Sequence, residues 1–168
     1  YRYGDGDVEP FVADAAEAGI SGLIVPDLPV EESGPLEAAC ERHDVALIFI
    51  VAPTTTQSRL RRIFDRASGF LYVQARLGTT GARSDVSDQT FQTLDRLPET
   101  ALPRAVGFGV STGEQARAIV AAGADGVVAG SVFVDVIADG EDVDTRLREK
   151  ATELARGATD GLVEPERT

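Results

Sequence analysis

Three apolar runs in this chain of 168 residues stop abruptly at small residues. Phe70 to Val73 is followed by Thr80-Gly81, Arg104 to Val106 by Gly107-Phe108-Gly109, and Gly126 to Ala129 by Gly130-Ser131. If the runs are neighbouring parallel strands, their ends meet on one face and aim bare backbone N–H groups at a common point. Such a cluster is a phosphate site, and it suggests a phosphorylated small molecule as ligand. Glycine suits the role because a side chain would block the anion's approach to the backbone. Tight turns serving packing alone use the same residues, so both readings stand at this point.

The elements that would position these turns alternate in kind. Asp7, Pro10 and Gly19 bound a first helix by a cap, a first-turn proline and a terminal glycine. Gly22 to Val25 reads as a buried strand, and a helix from about Val30 to His43 buries Leu36, Ala39 and Cys40. A second strand spans Ala46 to Val51. The Pro53-Thr54-Thr55-Thr56 turn caps a helix from about Gln57 to Arg66 that faces Leu60, Ile63 and Phe64 inward. Gly69 to Val73 is the third strand. Gln74 to Asp88 is long, rich in Gly, Thr and Ser and without apolar periodicity, which suits a lid. A helix from Gln89 to Leu97, a strand ending at Phe108, a helix from Thr112 to Ala122 and a strand from Gly126 to Ala129 follow. Helices from Ser131 to about Ala138 and from Asp144 to about Arg156 complete the pattern, the latter with Leu147, Ala151 and Leu154 on one face, and Pro165 to Thr168 reads as a loose end.

Five strands, each followed by helix, predict a parallel α/β fold. An open doubly wound sheet and a closed barrel both fit the count. Small residues at two successive strand ends favour the TIM (β/α)8 barrel. Such a barrel takes about 250 residues, so residues 1–168 read as one domain holding roughly the last five β/α units, with three strands expected before Tyr1. The loop-like start, Tyr1 to Asp7, and the absence of methionine agree with a fragment.

Composition narrows the function classes. The chain carries 28 acidic against 16 basic residues, a net charge of −12, and only Lys150 among the basic residues is lysine. Nucleic acid is a poor partner for such a surface. The acidic, lysine-poor balance resembles proteins of salt-loving organisms. Cys40 and His43 stand alone, so neither a disulfide framework nor a zinc cluster is expected, and no other metal or cofactor is called for. No run approaches the roughly 18 apolar residues of a membrane span, and no secretory signal is present, so a cytoplasmic protein without membrane attachment is expected.

Five runs carry a family resemblance: Val25-Pro26-Asp27-Leu28-Pro29-Val30-Glu31-Glu32-Ser33, Phe49 to Thr54, Gly69 to Tyr72 with Gly78 to Gly81, Gly107 to Ser111, and Gly130-Ser131. They are similar to the alpha chain of tryptophan synthase over nearly the whole chain. The resemblance implies a lyase of tryptophan biosynthesis. It would split indole-3-glycerol phosphate into indole and glyceraldehyde 3-phosphate and pass indole to a pyridoxal-phosphate-dependent beta chain in an alpha2beta2 assembly. The family's two catalytic carboxylates fall upstream of Tyr1, so no residue here inherits them, and the chain alone is expected to be inactive. By motif, Gly81, Gly109, Gly130 and Ser131 would hold the phosphate. Thr80 would belong to the lid, and Tyr72, Phe108, Ile24 and Ile50 to the indole pocket, each of these four having an alternative as core filling. Pro29 and its neighbours resemble the partner-contacting loop. Asp27 reads as a cap of the loop before Pro29, with a stand-in acid at the strand's outgoing end as the alternative. Arg61 and Arg62 read as a solvated face, His43 as a cation at a helix end, Cys40 as a small core residue and Arg76 as a lid arginine. Another phosphate-binding barrel, such as a sugar-phosphate isomerase or epimerase, or a non-catalytic binding fragment are the competing functions.

Overall fold

The computed structural model describes residues 7–75 and 86–163. They fall into two compact units that meet in sequence at Leu71 and Tyr72. The first unit begins with α1 (Glu9–Glu17), β1 (Gly22–Ile24) and α2 (Gly34–Arg42), followed by β2 (Ala46–Ile48), β3 (Ile50–Val51) and α3 (Gln57–Phe64). β4 (Leu71–Gln74) starts at the unit boundary, and α4 (Asp88–Asp95), β5 (Arg104–Gly107), α5 (Gly113–Ala121), β6 (Gly126–Val128), α6 (Ser131–Asp139) and α7 (Val143–Val163) follow.

Within the first unit β1 and β2 are parallel, with Gly22, Leu23 and Ile24 opposite Ala46, Leu47 and Ile48. β1 leads into α2 and the β2–β3 run into α3, the arrangement that lets parallel strands be joined by crossovers. The core here is Val12, Leu36, Ala39, Cys40, Leu47, Val51, Leu60 and Ile63, all under a tenth exposed. Thr56 caps α3 as its position predicts, its hydroxyl accepting from the Arg59 N–H at 3.4 Å. α1 begins one residue later than Asp7 would set it as cap: Val8 is the N-cap, and the Asp7 carboxylate still accepts from the Glu9 N–H at 3.0 Å.

Two boundaries in this unit differ from the sequence pattern. The run Ala46 to Val51 is divided between β2 and β3 at Phe49, whose side chain is buried. α2 starts at Gly34 rather than Val30, because residues 30–33 form a turn in which the Ser33 hydroxyl donates to the Val30 carbonyl at 2.9 Å. Arg66 fixes the same turn, donating to the Val30 carbonyl at 2.7 Å, and Arg59 and Arg62 reach Glu31 at 3.0 and 3.4 Å. Arg62 is therefore an ion-pair partner rather than only a solvated charge. His43 sits at the C-cap of α2, where its ring meets Glu9 at 2.7 Å, and Arg42 pairs with the same carboxylate.

In the second unit β4, β5 and β6 are neighbours in that order. β5 and β6 are parallel, with Ala105, Val106 and Gly107 opposite Gly126, Val127 and Val128. Val73, Ala75, Leu94, Val106, Val110, Ala116, Ile119 and Leu154 form its core. α7 runs on to Val163, seven residues past Arg156, where the sequence pattern places its end. Its Gly157 and Gly161 do not end the helix; both are buried against α5. A Cβ at Gly157 would overlap the Gly113 carbonyl, so the two helix backbones lie in contact. The inward face of α7 is accordingly Leu154, Gly157 and Gly161, and Ala151 is exposed.

Among the described residues no helix is long and apolar enough to cross a membrane.

Candidate functional site

The pairing of β5 with β6 sets the geometry of the two glycine turns. Gly107 stands opposite Val128, so the strands end at the same level. The paired strands lie about one strand spacing, roughly 4.8 Å, apart, and Phe108-Gly109 leaves one and Ala129-Gly130 the other on the same edge of the sheet. This is the carboxyl-terminal edge, where ligands of parallel α/β folds bind.

The first turn is held in an unusual conformation. Phe108 has φ 87° and Gly109 φ 80°. Glycine adopts that region without penalty, whereas phenylalanine is held there at a cost of roughly 1–2 kcal/mol. Its ring is 67% exposed, so packing against the described residues does not repay that cost. Backbone strain at an exposed apolar side chain beside a candidate site is the pattern of a ligand contact.

The turn then enters α5 through a full capping box. The Thr112 hydroxyl accepts from the Gln115 N–H at 3.2 Å, and the buried Gln115 side-chain oxygen accepts from the N–H groups of Ser111 and Thr112 at 2.8 and 3.2 Å. The next free donor, the Gly113 N–H, is taken by the Glu153 carboxylate at 2.7 Å. That contact and the ammonium of Lys150, 2.6 Å away, hold the Glu153 carboxyl below the usual range, the lysine being the larger influence. The amino end of α5 is thus occupied from within the protein.

The second turn differs in just this respect. Gly130 is the N-cap of α6 with no side-chain cap, and its carbonyl accepts from the Phe133 N–H at 2.9 Å. Ser131, the first residue of α6, is exposed. The amino end of α6, without a side-chain cap, and the exposed Ser131 thus follow the end of β6, on the edge of the sheet where Gly109 follows β5.

Tyr72 lies across the same face of the sheet. A Cβ at Gly107 would overlap the Tyr72 hydroxyl and stand 3.0 Å from the Val128 Cβ, so Tyr72, Gly107 and Val128 form one row below the turns. Burial pushes the Tyr72 phenol above its ordinary value, which keeps it a neutral hydrogen-bonding group. In the first unit Ile24 ends β1 with its side chain 41% exposed, and Ile50 lies half-buried in β3. Ile50 also lines a cavity of about 220 Å³ with Pro26, Pro29 and Phe49. Asp27 is on the rim of that cavity and exposed. Thr80, Gly81 and Arg76 lie outside the described residues. Among the described residues no cluster of His, Cys, Asp and Glu could hold a metal ion.

Lys150, Glu153 and Gln115 carry no site role in the sequence pattern. Gln115 was available as the fourth residue of a Thr-x-x-Gln capping box, and Lys150 as the one lysine among sixteen basic residues.

Parallel strands that each feed a helix, with open turns at the carboxyl ends of adjacent strands, define β/α units of the (β/α)8-barrel class. A family profile described as tryptophan synthase alpha chain matches residues 2–162. The chain belongs to the tryptophan synthase alpha chain family. It is 55% identical to the tryptophan synthase alpha chain of Halobacterium salinarum over 99% of its own length and 63% of that protein's. It is 57% identical to that of Methanosarcina barkeri over 94% of its length and 58% of the relative's. Among solved structures, a tryptophan synthase a2b2 complex from Pyrococcus furiosus has a chain 34% identical that superposes with a TM-score of 0.81, covering 92% of this chain and 62% of that one. An aminoacrylate-bound tryptophan synthase from M. tuberculosis gives 35% identity and a TM-score of 0.77 over 94% and 57%. The chain thus spans less than two thirds of the length of these relatives.

Proposed function

We propose that this chain is the phosphate-holding portion of a tryptophan synthase alpha subunit, which cleaves indole-3-glycerol phosphate to indole and glyceraldehyde 3-phosphate. The observation that carries the reading is the register that ends β5 and β6 level with each other, with one turn strained and the other uncapped. Gly109, Gly130 and Ser131 bind the phosphate through backbone N–H groups and the serine hydroxyl, and Gly81 adds a donor from the segment after β4. Phe108 and Tyr72 supply apolar walls for the indole ring.

The reaction is a retro-aldol cleavage. A proton is delivered to indole C3, the glycerol hydroxyl on the adjacent side-chain carbon loses its proton, and the bond between C3 and that carbon breaks to leave indole and an aldehyde. The residues assigned here orient the substrate; none of them delivers or removes those protons. In this proposal the carboxylates that do so belong to the part of the relatives' length that this chain does not span. Indole then passes to a pyridoxal-phosphate-dependent beta chain, a partner suggested by the a2b2 assembly of the Pyrococcus furiosus protein.

The test is indole release from indole-3-glycerol phosphate by this chain and by one extended to the relatives' full length. The proposal expects release only from the longer chain. Turnover by residues 1–168 alone would mean that a carboxylate within them, Asp27 first, does the proton transfer. No release from the extended chain, with or without a beta chain, would refute the assignment.

A further inference from the structure

Lys150 stands out first in the composition: fifteen of the sixteen basic residues are arginine, and this one is not. In the structure its side chain is three-quarters buried. It donates to the Ser111 carbonyl at 3.3 Å and to the Glu153 carboxylate at 2.6 Å. The other oxygen of Glu153 accepts from the Gly113 N–H at 2.7 Å. Two residues of α7 therefore grip residues on either side of Thr112, the cap of α5.

This grip depends on how closely the helices approach. Gly157 lies one helical turn beyond Glu153 on the same face of α7, and its lack of a side chain lets the α7 backbone meet the Gly113 carbonyl. A Cβ at Gly113 would in turn be 2.8 Å from the Glu153 carbonyl. At that separation a lysine and a glutamate three residues apart reach both Ser111 and Gly113. Thr112 and Gln115, both at the start of α5, fix the shape of the cap.

We infer that Lys150 is a positioning residue: from α7 it ties the Ser111 turn to the rest of the unit and so sets where the Gly109 N–H points when phosphate is bound. The inference rests on the phosphate reading proposed above. A compact ammonium with three donors suits two acceptors at different angles better than a planar guanidinium fork does. Lys150 also pairs with Glu153, whose carboxylate meets Gly113 four residues after Gly109.

The test uses inorganic phosphate and the chain as it exists, in molar potassium chloride. Affinity is measured by calorimetry and amide hydrogen exchange residue by residue for wild type, K150M and K150R. Loss of hydrogen bonds of ordinary strength predicts phosphate affinity about threefold to tenfold weaker in K150M. Exchange should be faster at Ser111 to Gly113 and unchanged in the middle of α5, and K150R should restore part of the affinity. Equal affinity in K150M and wild type would overturn the role of Lys150 alone. So would weaker affinity accompanied by faster exchange throughout α5 and α7, because that is loss of packing and not of position. Wild type that binds no phosphate would instead refute the cradle itself, and with it any task for Lys150 there.

Discussion

Phe108 tests the strained turn in the most quantitative way. Replacing it by alanine keeps the positive φ of 87° and removes a ring that is one-third buried. Full burial of phenylalanine stabilises by about 1.5–3 kcal/mol, so the ring's loss costs about 0.5–1 kcal/mol. Replacement by glycine loses the same ring but releases about 1–2 kcal/mol of backbone strain. Against that stands about 0.5–1 kcal/mol for the freer unfolded chain. Phe108→Gly is therefore expected near wild-type stability, and above Phe108→Ala by about 0.5–1 kcal/mol. Urea unfolding of the three proteins in molar potassium chloride gives the order from midpoints at constant slope. An alanine variant equal to or more stable than the glycine variant would refute the strained turn. Both variants should bind indole-containing phosphates less well, since the exposed ring is assigned to the ligand.

Gly157→Ala adds roughly 1 kcal/mol of helix propensity, yet the new methyl meets the Gly113 carbonyl, so a net loss of about 1–2 kcal/mol is expected. Gly126→Ala, with open space around its Cβ, is the urea-unfolding control. For acid stability, the Arg42 guanidinium and the His43 ring together lower the Glu9 carboxyl from 4.5 to about 2. A lowered folded-state value contributes stability above pH 4.5 that disappears as pH falls toward 2. The stability gap between wild type and Glu9→Gln should close over that window in chemical unfolding. With a net charge of −12, folding should weaken as salt is diluted and the screening length grows from about 3 Å at 1 M to about 30 Å at 0.01 M. A melting temperature flat across that range would contradict the salt-adapted reading of the composition.

What was legible in the sequence was whatever local chemistry decides. Thr56 and Thr112 announce helix starts because a hydroxyl accepts an otherwise unpaired N–H, and both are N-caps in the structure. The turns at Gly107-Phe108-Gly109 and at Gly130-Ser131 are legible as strand ends because an apolar run stops there at small residues. What was hidden depends on distant partners. Gly157 and Gly161 are helix-weakening residues in isolation, so α7 reads as ending near Arg156; contact with α5 supplies the reason for them. The late start of α2 at Gly34 likewise follows from a tertiary contact, Arg66 fixing the Val30 to Ser33 turn. Lys150 and Glu153 carry no local motif. Their partners lie about forty residues away in sequence, at Ser111 and Gly113.

The central claim is that the Gly109 turn and the Gly130-Ser131 turn make one anion site. The most direct measurement is a titration of the nitrogen-15-labelled chain with inorganic phosphate, followed through its backbone amide resonances. The largest saturable shifts should fall together on Gly109, Gly130 and Ser131. Shifts confined to other helix starts, such as that of α3, or movement of one turn without the other, would contradict it.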